Sequence, residues 1–151
     1  MNIKNNYRHT VSAIILDNED KVLVTHNKSH PAEFWKFPQG GVESEETEKM
    51  AILREMSEEL SANNLIIVKK CDTKYRYEWP PEVREKKGYL GPELTYFIIN
   101  CPDPKQLIPN VNVNELDQIK WVDKKELANI FSGIPEFIGV LNRLLEEVDQ
   151  K

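Results

Sequence analysis

The sequence predicts an α/β fold, and two observations carry that prediction. Short apolar stretches bounded by turn residues recur along the chain. Two longer segments, one between these stretches and one after them, instead repeat with the period of a helix. At 151 residues the chain has the size of one domain with a core of its own. It shows no internal repeat, low-complexity tract or composition boundary, so residues 1–151 are expected to form a single domain.

The first strand is expected at about His9 to Leu16. Val11, Ala13 and Ile15 alternate there with Ser12, Ile14 and Leu16, and both faces are largely apolar, as suits a central strand. Asp17-Asn18-Glu19-Asp20 forms a turn, and Lys21 to Thr25 returns as a second strand. A polar loop follows from His26 to Glu33. Trp35 to Val42 reads as a short strand running into a glycine turn. From about Thr47 to Leu60 the helical period takes over. Leu53, Met56 and Leu60 fall within about 60° of one another on the helical wheel, as the expected core side. Leu65 to Val68 begins a longer strand that continues, with a break, through Tyr75-Arg76-Tyr77. Trp79 to Gly91 is a poor candidate for regular structure, with Pro80-Pro81 and many charges. Leu94 to Asn100 is a strand, Pro102 to Asn114 a proline-interrupted loop, and Gln118 to Val122 a short strand. Two helices close the chain. One lies near Lys124 to Ile130 and one runs from about Pro135 to Val148, where Ile138, Leu141 and Leu145 give a core face.

The net charge is −5, so the overall field does not attract long duplex nucleic acid. A small phosphate substrate remains compatible with it where metal ions neutralise a site locally. The first ten residues carry no apolar signal core, and no apolar run is long enough to span a membrane. Cys71 and Cys101 flank no metal-type spacing. The sequence leaves a disulfide between them open. Two reduced thiols in a cytoplasmic protein is the reading adopted.

The chemistry-bearing feature is a cluster of glutamates. Glu55, Glu58 and Glu59 stand at i, i+3 and i+4, so a helix places them on one face, where like charges repel. A cation between them relieves that repulsion. Magnesium and manganese take hard oxygen ligands and lower the pKa of bound water, which is what hydrolysis of a polyphosphate requires. Upstream, Gly40-Gly41 lets backbone approach closely enough for a carbonyl near Gln39 or Gly40 to join the ligands. The plain alternative is a solvated acidic helix face.

The full spacing is Gly40, five residues, Glu46, seven residues, then Arg54-Glu55-Met56-Ser57-Glu58-Glu59. This pattern resembles the signature of the Nudix hydrolases, and seven matched positions at fixed gaps make it specific. The resemblance implies an α/β/α sandwich with a mixed β-sheet. It departs at Ser61, where the family usually has glycine; serine in a left-handed helix end costs about 1 kcal/mol. Trp35-Lys36-Phe37-Pro38-Gln39-Gly40-Gly41-Val42 is similar to the W-x-x-P-Q-G-G segment of the RNA pyrophosphohydrolases and plant-type diadenosine polyphosphate hydrolases. Tyr7-Arg8 and Tyr77-Glu78-Trp79-Pro80-Pro81-Glu82-Val83-Arg84-Glu85 fit that branch too. Glu115 to Val122 resembles the segment that supplies a further glutamate. Where the branch carries G-Q-x-Q-x-W-F, this chain has Gly91-Pro92-Glu93-Leu94-Thr95-Tyr96-Phe97.

The resemblance implies a role for each residue. Gly40, Glu58 and Glu59 are metal ligands, and Glu55 is a ligand or the base that takes the water's proton. Arg54 orients the carboxylates by bidentate pairing, with Glu46 as its partner at the helix start. Glu115 is a candidate second base or extra ligand. Arg8 and Lys36 are candidate phosphate contacts, and Tyr77 a platform for a base. His9, His26 and His30 show no metal spacing and are assigned nothing.

Three functions are weighed. The first is Mg²⁺-dependent (Mn²⁺ being the alternative) pyrophosphohydrolysis of a nucleoside or dinucleoside polyphosphate, such as diadenosine tetraphosphate, or of a 5′-triphosphorylated RNA end. The second keeps the reaction but acts on the nucleoside triphosphate pool, favoured by the altered Gly91–Phe97 segment. The third is a non-catalytic nucleotide-binding module.

Overall fold

The computed structural model describes residues 6–111 and 116–151. Six strands form one mixed sheet: β1 (Arg8–Leu16), β2 (Val22–Asn27), β3 (Gln39–Gly41), β4 (Ile66–Arg76), β5 (Pro92–Asn100) and β6 (Leu116–Val122). The order is β4-β5-β1-β2-β6, with β3 paired to β1. β1 lies at the centre. It runs parallel to β5 along its whole length, and its other edge is shared. β3 pairs antiparallel with Thr10–Ser12, while β2 meets β1 at Leu16.

Alternation along β1 divides the core, as a strand apolar on both faces must. Val11, Ala13 and Ile15 point toward α1 (Glu48–Leu60) and pack with Ala51, Ile52, Met56 and Leu60. Ile14 and Leu16 point the other way, onto Phe137, Val140, Leu141 and Leu144 of the closing helix (Pro135–Asp149). The sheet is thus covered on both faces, and the α/β/α sandwich is the observed architecture. The two cysteines are free and belong to opposite clusters, so no disulfide links them.

Several details differ from the expectations. The stretch read as irregular between Trp79 and Gly91 contains a helix, α2 (Pro81–Lys87). Pro81 opens it and Gly88, at φ 81°, closes it, as their backbone preferences allow. It buries no side chain, so it leaves no apolar pattern to read. The long fourth strand has no break, but its pairing with β5 shifts register between Lys70 and Lys74. The strand expected over Trp35 to Val42 is only β3 plus a bridge from Lys36 to Thr25. Near the C-terminus a 3₁₀ turn (Lys124–Glu126) leads into α3 (Leu127–Ile130), and Pro135–Asp149 is α4. In α4 Leu141 is fully buried as expected, while Ile138 and Leu145 are only partly covered.

The wheel of α1 is also rotated from the expected one. Leu53 is 42 % exposed, and the packed side centres on Ile52 and Met56 instead. Glu59 lies beside Ile52 on that wheel. The helix therefore does not separate a dry side from an acidic side, and two of its carboxylates face inward.

Candidate active site

Helix α1 is fixed at both ends. Thr47 caps its start by accepting from the Met50 amide at 3.1 Å, satisfying one of the donors a helix leaves free. Ser61 closes it in the left-handed conformation at φ 56°, and the Ala62 amide donates back to Met56 at 3.3 Å. The serine therefore takes the backbone shape that glycine would supply. The last carbonyls are taken up by the loop after β5: Asn110 donates to Glu59 and Ile108 to Leu60, at 2.8 and 3.0 Å.

Arg54 is the hub of the acidic face. Its guanidinium grips Glu46 through Nε and Nη2 at 2.6 and 2.9 Å and donates to the Gly41 carbonyl at 3.0 Å. Nη1 reaches Glu55 at 3.0 Å and Glu58 at 3.3 Å. The fork holds Glu46 well below the usual carboxylate range, at about 2. Glu46 in turn accepts from the Glu43 amide, so the turn before α1 and the helix share one hydrogen-bond network.

The other two carboxylates respond to burial. Desolvation pushes Glu55 up, opposed by Arg54. Glu59 is pushed up to about 8, first by desolvation and then by the charge of Glu55, with Lys36 pulling it back. Its Oε2 is buried and has no hydrogen-bond partner. Gly40 stands directly against Glu55, because a Cβ there would collide with the Glu55 carboxyl.

Among the described residues no three His, Cys, Asp or Glu side chains converge as an ion-holding group. The donors nevertheless fit a hard divalent cation. They are all oxygen, one of them is buried without a partner, and the glycine beside them leaves backbone accessible.

The remaining candidates fall on two sides of β3. Lys36 is clamped to Thr25 by backbone bonds of 2.7 and 3.0 Å, and its charge reaches Glu59 on the α1 side. A Cβ at Gly41 would collide with the Arg8 guanidinium, so Arg8 lies over that glycine, and its charge also acts on Glu55. Tyr77 interacts with the Gln39 and Trp79 side chains and lies 5.7 Å from the Tyr75 ring. Glu115 lies outside the described residues. The altered Gly91–Phe97 segment is spent on packing, since Leu94 and Tyr96 are each only 2 % exposed in the α4-side core.

The family model described as NUDIX domain matches residues 6–141. The chain belongs to the Nudix family. It is a Nudix hydrolase, acting on phosphoric anhydride bonds. Among curated relatives it is similar to the RNA pyrophosphohydrolase of Pelagibacter ubique, at 29 % identity over 127 residues, covering 82 % of this chain and 80 % of that one. It is also similar to that of Campylobacter jejuni, at 26 % identity over 156 residues, covering 100 % and 98 %. The Nudix fold recurs in the Ap4A hydrolase of C. elegans, with a TM-score of 0.67, 18 % identity and coverage of 94 % and 99 %. The E. coli dihydroneopterin triphosphate pyrophosphohydrolase matches with a TM-score of 0.65 at 23 % identity, covering 83 % and 88 %.

Residue pairs that the sequence did not advertise are far apart along it. Glu48 is held by Lys70 at 2.6 Å and His9 at 2.7 Å, which seats the first turn of α1 on the sheet. His26 is buried against Asp117. None of these three pairs has a spacing that marks it in the sequence.

Proposed function

We propose that this Nudix hydrolase removes phosphate from the 5′-triphosphorylated end of RNA, with dinucleoside polyphosphates such as diadenosine tetraphosphate as substrates of the same site. Relatives covered almost end to end and named RNA pyrophosphohydrolase support the RNA end as first choice. The observation that carries the site is the buried, partnerless Glu59 oxygen, which feels the charge of Glu55, the carboxyl that lies against Gly40.

Glu55, Glu58, Glu59 and backbone at Gly40 would hold Mg²⁺, or Mn²⁺ in its place. When bound, the cation screens the polyphosphate charge and acidifies an attacking water. Glu55 serves either as one of these ligands or as the base that takes the water's proton, and burial raises its carboxyl against the pull of Arg54. Arg54 holds Glu55 and Glu58 in place and leaves their other oxygens available. Arg8 and Lys36 contact phosphate oxygens from either side of β3. Tyr77 offers its ring, 37 % of the residue being exposed, to the first base. Glu115 is a further base or ligand. Two buried free thiols on opposite faces of the sheet support a cytoplasmic setting.

A substrate panel tests this. Triphosphorylated RNA, diadenosine tetraphosphate and nucleoside triphosphates are each incubated with protein and Mg²⁺, and the products identified. The reading expects the highest kcat/KM on the RNA end. Preference for mononucleotides would favour the pool-cleaning reading, which the absence of the branch's glutamines and tryptophan from Gly91–Phe97 supports. Tight nucleotide binding without turnover would point to a binding module.

A further inference from the structure

His26 is buried at the end of β2, with 5 % of its surface exposed. Nδ1 lies 2.7 Å from an Asp117 carboxylate oxygen and Nε2 lies 2.9 Å from the Pro31 carbonyl. A carboxylate and a carbonyl only accept hydrogen bonds, and a neutral imidazole has only one N–H to give. Both contacts are satisfied together only when both nitrogens carry protons.

The backbone is built to present Asp117 to this ring. Across the β2–β6 ladder His26 pairs with Gln118, while Asn27 pairs with Leu116. Asp117 is therefore the extra residue of a β-bulge, a device that re-aims a side chain. The Pro31 carbonyl belongs to the loop that leaves β2 and returns at Lys36. The Trp35 ring packs 5.5 Å from His26, and Lys120 of β6 covers the same indole at 4.2 Å. Lys28 ties that loop to the Val111 carbonyl at 3.1 Å. The charged and titratable groups around His26 are thus Asp117 and, across the indole, Lys120 from β6, while His30 of the loop contributes a backbone hydrogen bond. The hydrogen bond to Asp117 raises the pKa of His26, against the opposing effect of burial.

We propose that His26 is a positioning residue that, carrying both ring protons, clips the 28–34 loop to the Asp117 bulge and so sets the reach of Lys36 into the carboxylate site. Lys36 re-enters the sheet through Thr25, the residue before His26. Loss of the proton sets two acceptors against each other at one nitrogen and releases one end of the clip. The contribution is present while His26 is charged and is lost as pH rises through its raised pKa. The link to Lys36 rests on the phosphate role proposed above, whereas the protonation of the ring does not.

The test has two arms. ¹⁵N NMR of the imidazole nitrogens reads the ring directly. Both are expected to be protonated at pH 7, and Asp117→Asn is expected to lower the midpoint of the titration, since the bond to Asp117 is what raises it. A neutral single tautomer at pH 7 would overturn the clip, whether or not the enzyme turns over RNA. In the second arm, His26→Gln is expected to raise KM for triphosphorylated RNA about tenfold with kcat within about twofold. The wild type should show the same KM rise on its alkaline side. Should His26→Gln fail to fold, Asp117→Asn serves, moving the alkaline KM limb to lower pH. A KM unchanged in the folded variant, and flat with pH in the wild type, would refute the positioning role.

Discussion

Arg54 holds Glu46 through two donors of one guanidinium, at 2.6 and 2.9 Å, and uses its remaining contacts on Glu55, Glu58 and the Gly41 carbonyl. A planar fork makes this possible, and a lysine cannot reproduce it. Arg54→Lys is therefore expected to keep the fold but lower kcat by about 10–100-fold, the usual range when a group supporting metal ligands is lost. Steady-state kinetics beside a thermal melt separates the two effects; equal loss of both would make Arg54 a structural residue.

Glu59 is raised to about 8 because it is desolvated and sits beside Glu55. A carboxyl raised in the folded state binds a proton more tightly there than in the unfolded chain. It therefore costs stability increasingly from about pH 4.5 up to about 8. Glu59→Gln should raise the melting temperature of the metal-free protein at neutral pH, at about 2–4 °C per kcal/mol relieved, while abolishing turnover. In the wild type, cation affinity should rise with pH and level off above about 8, as the competing proton leaves. Calorimetric titration with Mg²⁺ across that range checks it.

Gly40 leaves no room for a methyl group, because the Glu55 carboxyl occupies that space. Gly40→Ala should displace Glu55, costing about 1–3 kcal/mol in stability and most of the activity. Restored stability in Gly40→Ala combined with Glu55→Ala would show that the clash is with this side chain.

Glu147 of α4 is nearly buried and accepts from the Asp72 and Thr73 amides at 2.7 and 3.0 Å, with Lys69 at 3.2 Å. These amides lie in the register shift of β4, so one carboxylate satisfies donors that the ladder leaves free. Burial opposes its charge, but the hydrogen bonds prevail and hold it at about 2. Its contribution is complete above the usual carboxylate range and is lost as pH falls toward 2. Glu147→Ala should cost about 2–4 kcal/mol at pH 7 and less at pH 3, measured by urea unfolding.

The fold class and the reaction class were legible in the chain. Period-2 runs such as Val11 to Leu16 dictate a two-faced strand, and the spacing from Gly40 to Glu59 places its carboxylates on one helix. These are local facts, carried by backbone periodicity over a few residues. Helix α2 leaves no apolar pattern in the chain because it buries nothing, and Leu53 faces solvent because the docking angle of α1 depends on the whole sheet beneath it. That same rotation turns Glu59 inward and leaves its oxygen without a partner. The pairs His26–Asp117, Glu48–Lys70 and Glu147–Asp72 lie 91, 22 and 75 residues apart. No local repeat connects such positions. Only chain packing brings them to hydrogen-bond distance, and there the hydrogen bonds, working against burial, keep His26, Glu48 and Glu147 charged.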